Sequence, residues 1–291
     1  MNTQSTESSD PTAEKKRRVV VLGMGDHEHI ASEARRLRPM IEQRAEIVVW
    51  DLGFSADLDK VEADFAIVFG GDGSILRAAR QMAYHQRPIV GVNLGKLGFL
   101  ADLLPDEFEK QWPNICAGQY EVVDHMMFHC QVIRQEKVVR QHLGLNEVAV
   151  FAGPDFGILD VDLYIDQELA TTYSCDGLII STPVGSTAHS LSAGGPILRK
   201  NLSAFVISPI SPHTLTNRPV VDTASRTYEM VVARPNEGTA AVADGQVLCR
   251  LEPGDRVRVE RAEPRFQLIE VPGHGYYQTL REKLGWGGKL T

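Results

Sequence analysis

The sequence predicts an α/β unit followed by an all-β unit: an open, Rossmann-like α/β domain on the amino-terminal side and a β-sandwich domain after it. Three observations carry this. Short β-branched runs alternate with helical spacing up to about Tyr120, which implies parallel strands joined by helical crossovers. Beyond Tyr120, apolar–polar alternation recurs between clusters of Gly, Pro, Asn and Asp, the texture of a sandwich. A length of 291 residues also suits two cores better than one.

The elements follow in chain order. Residues 1–14 are polar and carry no apolar stretch of the signal-peptide kind. With the basic Lys15-Lys16-Arg17-Arg18 they are expected to form a flexible tail over 1–18. Val19-Val20-Val21-Leu22, ending on Gly23, reads as a buried strand and a turn. Ile30, Ala34, Leu37 and Ile41 share one face of a helix expected over 29–41. Strands are expected at 46–50, 65–69 and 88–92, and a helix at 75–83. Together these define an α/β domain over 19–124. The sandwich domain is expected over 125–273, with strands at 127–133, 147–151, 158–165, 178–181, 228–233, 247–251, 256–259 and 266–271. One helical stretch, 187–192, interrupts it. Helical spacing returns at 277–284; this last helix, within about 274–291, is expected to pack back on the first domain.

Composition excludes several function classes. Apolar residues make up 43% and charged residues 23%, an ordinary globular profile rather than a disordered one. No apolar run reaches the roughly 18 residues of a membrane span. The net charge of −8 argues against a bulk basic surface for nucleic acid. Cys116, Cys130, Cys175 and Cys249 form no CxxC pair, which fits a reducing, cytoplasmic setting and not a zinc ribbon or a disulfide scaffold.

The first chemical motif is Gly70-Gly71-Asp72-Gly73-Ser74, between a buried strand and a helix. Ligands of open α/β sheets bind beyond the carboxyl ends of the strands. Gly70, Gly71 and Gly73 can leave amides bare for phosphate, and the helix start adds to that anion site. Ser74 is a candidate helix cap. A carboxylate there repels phosphate unless it serves the chemistry. Asp72 can hold Mg²⁺, or accept a proton from an attacking hydroxyl. Two nearby patterns fail. Gly91-Val92-Asn93-Leu94-Gly95-Lys96-Leu97 is one residue short of a Walker loop, and Gly23-Met24-Gly25 lacks the third glycine of a dinucleotide fingerprint.

A second constellation runs from Asp176 to Pro196, an apolar strand feeding Gly185-Ser186-Thr187 and then Gly194-Gly195. Small hydroxylated residues at a helix start suit sugars or phosphates, and a plain capped helix competes with that reading. Asn146-Glu147 opens another strand and offers donors and acceptors to ribose hydroxyls. No GxSxG or HExxH pattern occurs, and no metal ligands are assigned.

With these pieces in place the chain resembles the bacterial NAD kinase family. The resemblance rests on GGDGS at 70–74, LGFL at 97–100, NE at 146–147, DGLIISTPVGSTAHSLSAGGP at 176–196, PHTLTNRP at 212–219 and DGQ at 244–246. It implies transfer of the γ-phosphoryl group of ATP, or of polyphosphate, to the adenosine 2′-hydroxyl of NAD, giving NADP. It also implies a divalent cation, Mg²⁺ first among them, and a homodimer or homotetramer. Asp72 matches the proton acceptor and Gly73 a dinucleotide contact. Arg77 matches a position that is often basic. Asn146, Glu147, Asp176, Thr187, Ala188, His189, Ser190, Leu191, Ser192 and Gln246 match NAD-binding positions. The chain departs from the family at His189, where Tyr is usual, and at Ser174, where a basic residue is common. The alternatives are a lipid or sugar kinase of the same superfamily, which does not account for the 176–196 block, and a non-catalytic NAD(P) sensor.

Overall fold

The computed structural model describes residues 16–95, 98–101, 103–153, 158–214, 217–273 and 276–285. The expected tail lies outside these residues up to position 15, as do Leu97 of LGFL, Leu215-Thr216 of PHTLTNRP and positions 274–275 and 286–291 of the last segment; Arg17 and Arg18 are not tail, since they open the first strand and pair with Ala45 and Glu46.

The first unit comprises β1 (Arg17–Gly23), α1 (Glu28–Arg44), β2 (Ala45–Asp51), β3 (Phe65–Phe69), α2 (Asp72–Met82), β4 (Ile89–Val92) and α3 (Pro105–Cys116). β3 and β4 are buried along their whole length, as strands covered on both faces must be. They run parallel with β1 and β2 in the order β2-β1-β3-β4. One face is covered by α1, through Ile30, Ala34, Leu37 and Ile41, and by α3, through Phe108, Trp112 and Ile115. The helix α3 is absent from the sequence expectation; Pro113 interrupts its apolar spacing near the end.

The second unit begins with β5 (Glu121–Arg134), β6 (Lys137–Gly144), β7 (Glu147–Phe151), β8 (Leu159–Ile165), β9 (Glu168–Cys175) and β10 (Gly177–Ser181). After a 3-10 turn (Gly185–Thr187) come α4 (His189–Ser192), β11 (Ala204–Ile210), β12 (Val220–Thr223), β13 (Tyr228–Val232), β14 (Ala240–Ala243), β15 (Gln246–Arg250), β16 (Arg256–Glu270) and α5 (Tyr276–Leu284). An antiparallel sheet in the order β12-β11-β10-β7-β14-β15 packs on the strands around β13 and β8, and the sandwich core between them is built from residues such as Phe128, Val150, Leu178, Phe205 and Tyr228.

The two units share a sheet. β16 pairs with β4 in parallel at Leu268↔Ile89, with β13 at Tyr228↔Val259, and with β5 from Arg256↔Ile133 to Glu270↔Glu121. The turn-like Ala262-Glu263-Pro264 reads as a break between two short strands, yet the chain accommodates it as an irregularity between Arg261 and Arg265 and continues as one strand. The last helix, α5, touches both units: Tyr276 Oη donates to Leu198 O at 3.0 Å, and the Lys283 ammonium lies 4.4 Å over the Phe99 ring.

Candidate active site

The glycine loop sits where β3 ends and α2 begins. Gly70 takes φ +136°, and a Cβ there would lie 2.1 Å from Ser74 Oγ, so glycine is required at this position. At Gly71 and Gly73 an added Cβ would meet nothing within 4 Å; the loop is open at these two positions. α2 starts earlier than its apolar periodicity suggests, with Gly71 as its cap and Asp72 as its first residue. Ser74 is therefore not the cap: it is buried inside the first turn.

Asp72 is held by a turn some 27 residues away in sequence. Its Oδ2 accepts from Phe99 N at 2.8 Å, and its Oδ1 accepts from Leu100 N at 2.9 Å and Ala101 N at 3.1 Å. A carboxylate offers about four acceptor directions, so Oδ2 keeps one for a further donor. The helix N-terminus beneath also favours negative charge. The turn itself is closed by Gly98 N donating to Ala101 O at 3.1 Å and by the buried Asn93, whose Nδ2 donates to the same carbonyl at 3.0 Å. Gly98 cannot carry a side chain, since its Cβ would fall 2.1 Å from Asp72 Oδ1.

α2 lies between the α/β sheet and the β unit. Ile75 and Ala78 share a buried cluster with Leu145 and Val184, the residues just before Asn146 and Gly185. Leu145 and Val184 thus belong to the same buried cluster as α2, the helix that opens on Asp72. The Asn146-Glu147 corner is organised by Asp244, whose carboxylate accepts from Leu145 N and Asn146 N at 2.8 Å and from Glu147 N at 3.2 Å. Asp244 and Gly245 form the left-handed turn between β14 and β15, with φ 45° and 73°. Burial raises the Asp244 pKa, against the three amides and Arg80, which lower it. Gly185 meets the same corner: a Cβ on it would lie 2.2 Å from Asn146 O.

Glu147 is 7% exposed, and its Oε2 has no hydrogen-bond partner among the described residues. Burial first, and the neighbouring Asp244 second, push its pKa up to about 8. Near neutral pH it therefore keeps its proton and can donate as well as accept.

The remaining candidates scatter. Arg77 points to the 51–56 loop, with Nη2 donating to Gly53 O at 3.4 Å and its guanidinium 5.0 Å from the Phe54 ring. Thr187 Oγ1 donates to Val184 O at 2.9 Å. Ser190 faces inward, its hydroxyl 2.9 Å from that of Ser208. His189 is exposed, its ring 5.5 Å from that of Phe151, and Ala188 and Leu191 are half-buried beside it. Ser192 and Gln246 are exposed. Asp176 lies at the far end of β10, about 16 Å from Ser181 by strand rise, and faces His213 at 3.6 Å. Within one chain it is not gathered beside Asp72.

Among the described residues no group of three or more His, Cys, Asp and Glu side chains is placed to hold a metal. Asp72, a single carboxylate beside a bare glycine loop, fits a cation that takes most of its ligands from phosphate oxygens and water, as Mg²⁺ does. Sequence reasoning misses Asn93 and Asp244 as organisers of the site. Asn93 lies in the segment that reads as a failed Walker loop, and Asp244 in the DGQ motif, where the resemblance singles out Gln246 instead.

The chain is similar to known proteins along most of its length. Residues 8–120 match the ATP-NAD kinase N-terminal domain and residues 145–271 the ATP-NAD kinase C-terminal domain. An NAD kinase of Rhodopirellula baltica is 55% identical over 274 residues, 94% of this chain and 88% of that protein. An NAD kinase of Shewanella denitrificans is 39% identical over 267 residues, 90% and 86% of the two chains. The crystal structure of an Archaeoglobus fulgidus NAD kinase in complex with ATP superposes with a TM-score of 0.71 at 27% identity, covering 92% of this chain and 97% of that one. A yeast NADH kinase complexed with NADH shares the fold, with a TM-score of 0.82 at 18% identity over 96% and 90% of the chains.

An α/β unit with a glycine loop at the end of β3, joined to a sandwich unit and matched along both by the two kinase domains, defines a nucleotide-dependent phosphotransferase. Both domain matches and the 55% identical relative place it more narrowly. The chain belongs to the NAD kinase family.

Proposed function

We propose that Asp72 is the general base of phosphoryl transfer from ATP to NAD, acting on the 2′-hydroxyl of the adenosine ribose. The enzyme phosphorylates NAD to NADP with ATP as donor. One observation carries the assignment of Asp72: its carboxylate is fixed by three backbone amides at the carboxyl end of β3, with one direction on Oδ2 open. A secondary hydroxyl is a weak nucleophile, and a positioned acceptor for its proton speeds attack. The hydroxyl oxygen bonds to the γ-phosphorus, the bond from that phosphorus to the β–γ bridging oxygen breaks, and the proton passes to Oδ2.

The bare amides around Gly71 and Gly73 face the phosphates. Asn146 and protonated Glu147 hold the ribose, one offering an amide and the other both a donor and an acceptor. A divalent cation, when bound on the phosphates, neutralises charge that would otherwise oppose transfer. The α/β domain over 19–124, with 274–291, handles phosphate, and the sandwich over 125–273 handles NAD. Polyphosphate, which carries the same transferable phosphoryl group, is the alternative donor. The edge strand β12 exposes Val220 and Val221, a surface suited to self-association as a dimer or tetramer. Among the described residues no helix is long and apolar enough to cross a membrane; a cytoplasmic location rests on the four free cysteines.

The test is NADP formation from NAD, ATP and Mg²⁺. Asp72→Asn should lower turnover by about 10²–10⁴-fold while NAD still binds. Unchanged turnover would remove Asp72 from this role.

A further inference from the structure

The Phe99–Leu100 peptide is gripped at both ends by charge. Leu100 N donates to Asp72 Oδ1 at 2.9 Å, and Lys200 Nζ donates to Phe99 O at 2.5 Å. These two groups belong to one amide plane, and in a trans peptide the C=O and N–H point in opposite directions. Ammonium, carbonyl, amide hydrogen and carboxylate therefore form a single line, with the peptide dipole aligned between a positive and a negative side chain. Each hydrogen bond polarises the peptide in the sense that strengthens the other. Rotating the plane would break both bonds at once.

The two charges come from different units of the fold. Asp72 opens α2 of the α/β unit, and Lys200 lies just before β11 of the sandwich unit. Lys200 is itself fixed. Two residues before it, Leu198 receives Tyr276 Oη at its carbonyl and donates its N–H to the buried Ser186 Oγ at 3.0 Å. The Lys200 ammonium lies 5.9 Å from the Tyr276 ring. The next residue back, Arg199, donates to Tyr277 Oη at 3.3 Å. The segment that carries the lysine is thus pinned between the 182–187 turn of the nucleoside side and the helix α5.

We propose that Lys200 is a positioning residue for phosphoryl transfer, acting through the Phe99–Leu100 peptide to hold the Asp72 carboxylate in its reactive orientation. The proposal rests on the reading of Asp72 as the general base. Lys200 acts on Asp72 through this peptide, so its loss should change turnover and leave substrate affinity almost unmoved. Asp72 Oδ2 is also bound by Phe99 N, on the other side of the same residue, so a loosened turn frees both carboxylate oxygens.

The experiment uses the full chain and measures kcat and KM for NAD and ATP, with melting temperature as the check on folding. Lys200→Met should lower kcat about tenfold and change either KM by less than about threefold. Lys200→Arg still presents a charged donor and should restore most of kcat. In an Asp72→Asn background Lys200→Met should have no further effect on the residual rate, because the group it positions is gone. If Lys200→Met does not fold, Lys200→Gln takes its place, and protection of the Leu100 amide from hydrogen exchange is compared with that of the wild type; lost protection supports the proposal and retained protection overturns it. Unchanged kcat in Lys200→Met, a raised KM with kcat intact, or equal losses with and without Asp72 each overturn it. These results are separable from failure of the base assignment: that failure shows as full turnover in Asp72→Asn, whatever Lys200 does.

Discussion

Replacing Glu147 by glutamine should change how stability depends on pH, and the size of the change follows from the site. The carboxyl group is buried with one oxygen unpartnered, and its pKa rises from the ordinary 4.5 to about 8. The folded chain thus holds this proton more tightly than the unfolded chain does. Its favourable contribution is complete below pH 4.5 and is lost as pH rises toward 8. Each pH unit in that window costs about 1.4 kcal/mol, so between pH 4.5 and 7 the loss is on the order of 3 kcal/mol. Glutamine keeps the shape and never ionises. The stability difference between variant and wild type should therefore be flat below pH 4.5 and climb in favour of the variant up to pH 8. Urea denaturation without nucleotides at pH 5, 6, 7 and 8 reads this directly. A constant offset across that range would refute the reasoning, since it would mean that Glu147 titrates alike in both states.

Two further outcomes follow from the same physics. Gly98→Ala should push the Asp72 carboxylate off its three amides, because the new Cβ lies 2.1 Å from Oδ1; steady-state kinetics should show kcat down at least tenfold, a cost of about 1.4 kcal/mol or more in the barrier, with the fold retained by circular dichroism. His125 is fully buried and stacked on Phe266, and burial lowers its pKa from 6.5 to about 4. Its neutral form is the folded form, so stability present above pH 6.5 is lost as pH falls toward 4, on the order of 3 kcal/mol; His125→Gln should flatten that acid limb in a thermal scan.

The parts of the site that lie within one short run are legible in the sequence. Strand, glycines, carboxylate and helix follow one another from Phe65 to Met82, and their order alone places Asp72 at the edge of a parallel sheet. What stays hidden depends on residues far apart in the chain. Asp72 meets the amides of residues 99–101 across 27 to 29 positions, and Asp244 meets those of residues 145–147 across 97 to 99. No local pattern encodes such a meeting. Orientation is hidden as well: in a helix of four residues, His189–Ser192, spacing cannot tell that Ser190 turns inward while His189 faces out. The strand β16 does not read as one piece because Pro264 signals a break, and the ladder with β5 resumes beyond it.

That long ribbon limits how the protein can breathe. Swinging one half of a molecule away from the other needs a few backbone torsions free to absorb the rotation. Here the two halves are spliced by a pair of hydrogen-bonded strands, and a wide swing would tear a ladder. The β5–β16 ladder shifts register between Arg261 and Arg265 and then resumes. Nucleotides that enter and products that leave are then expected to need local shifts of turns, not a wide swing of one unit from the other.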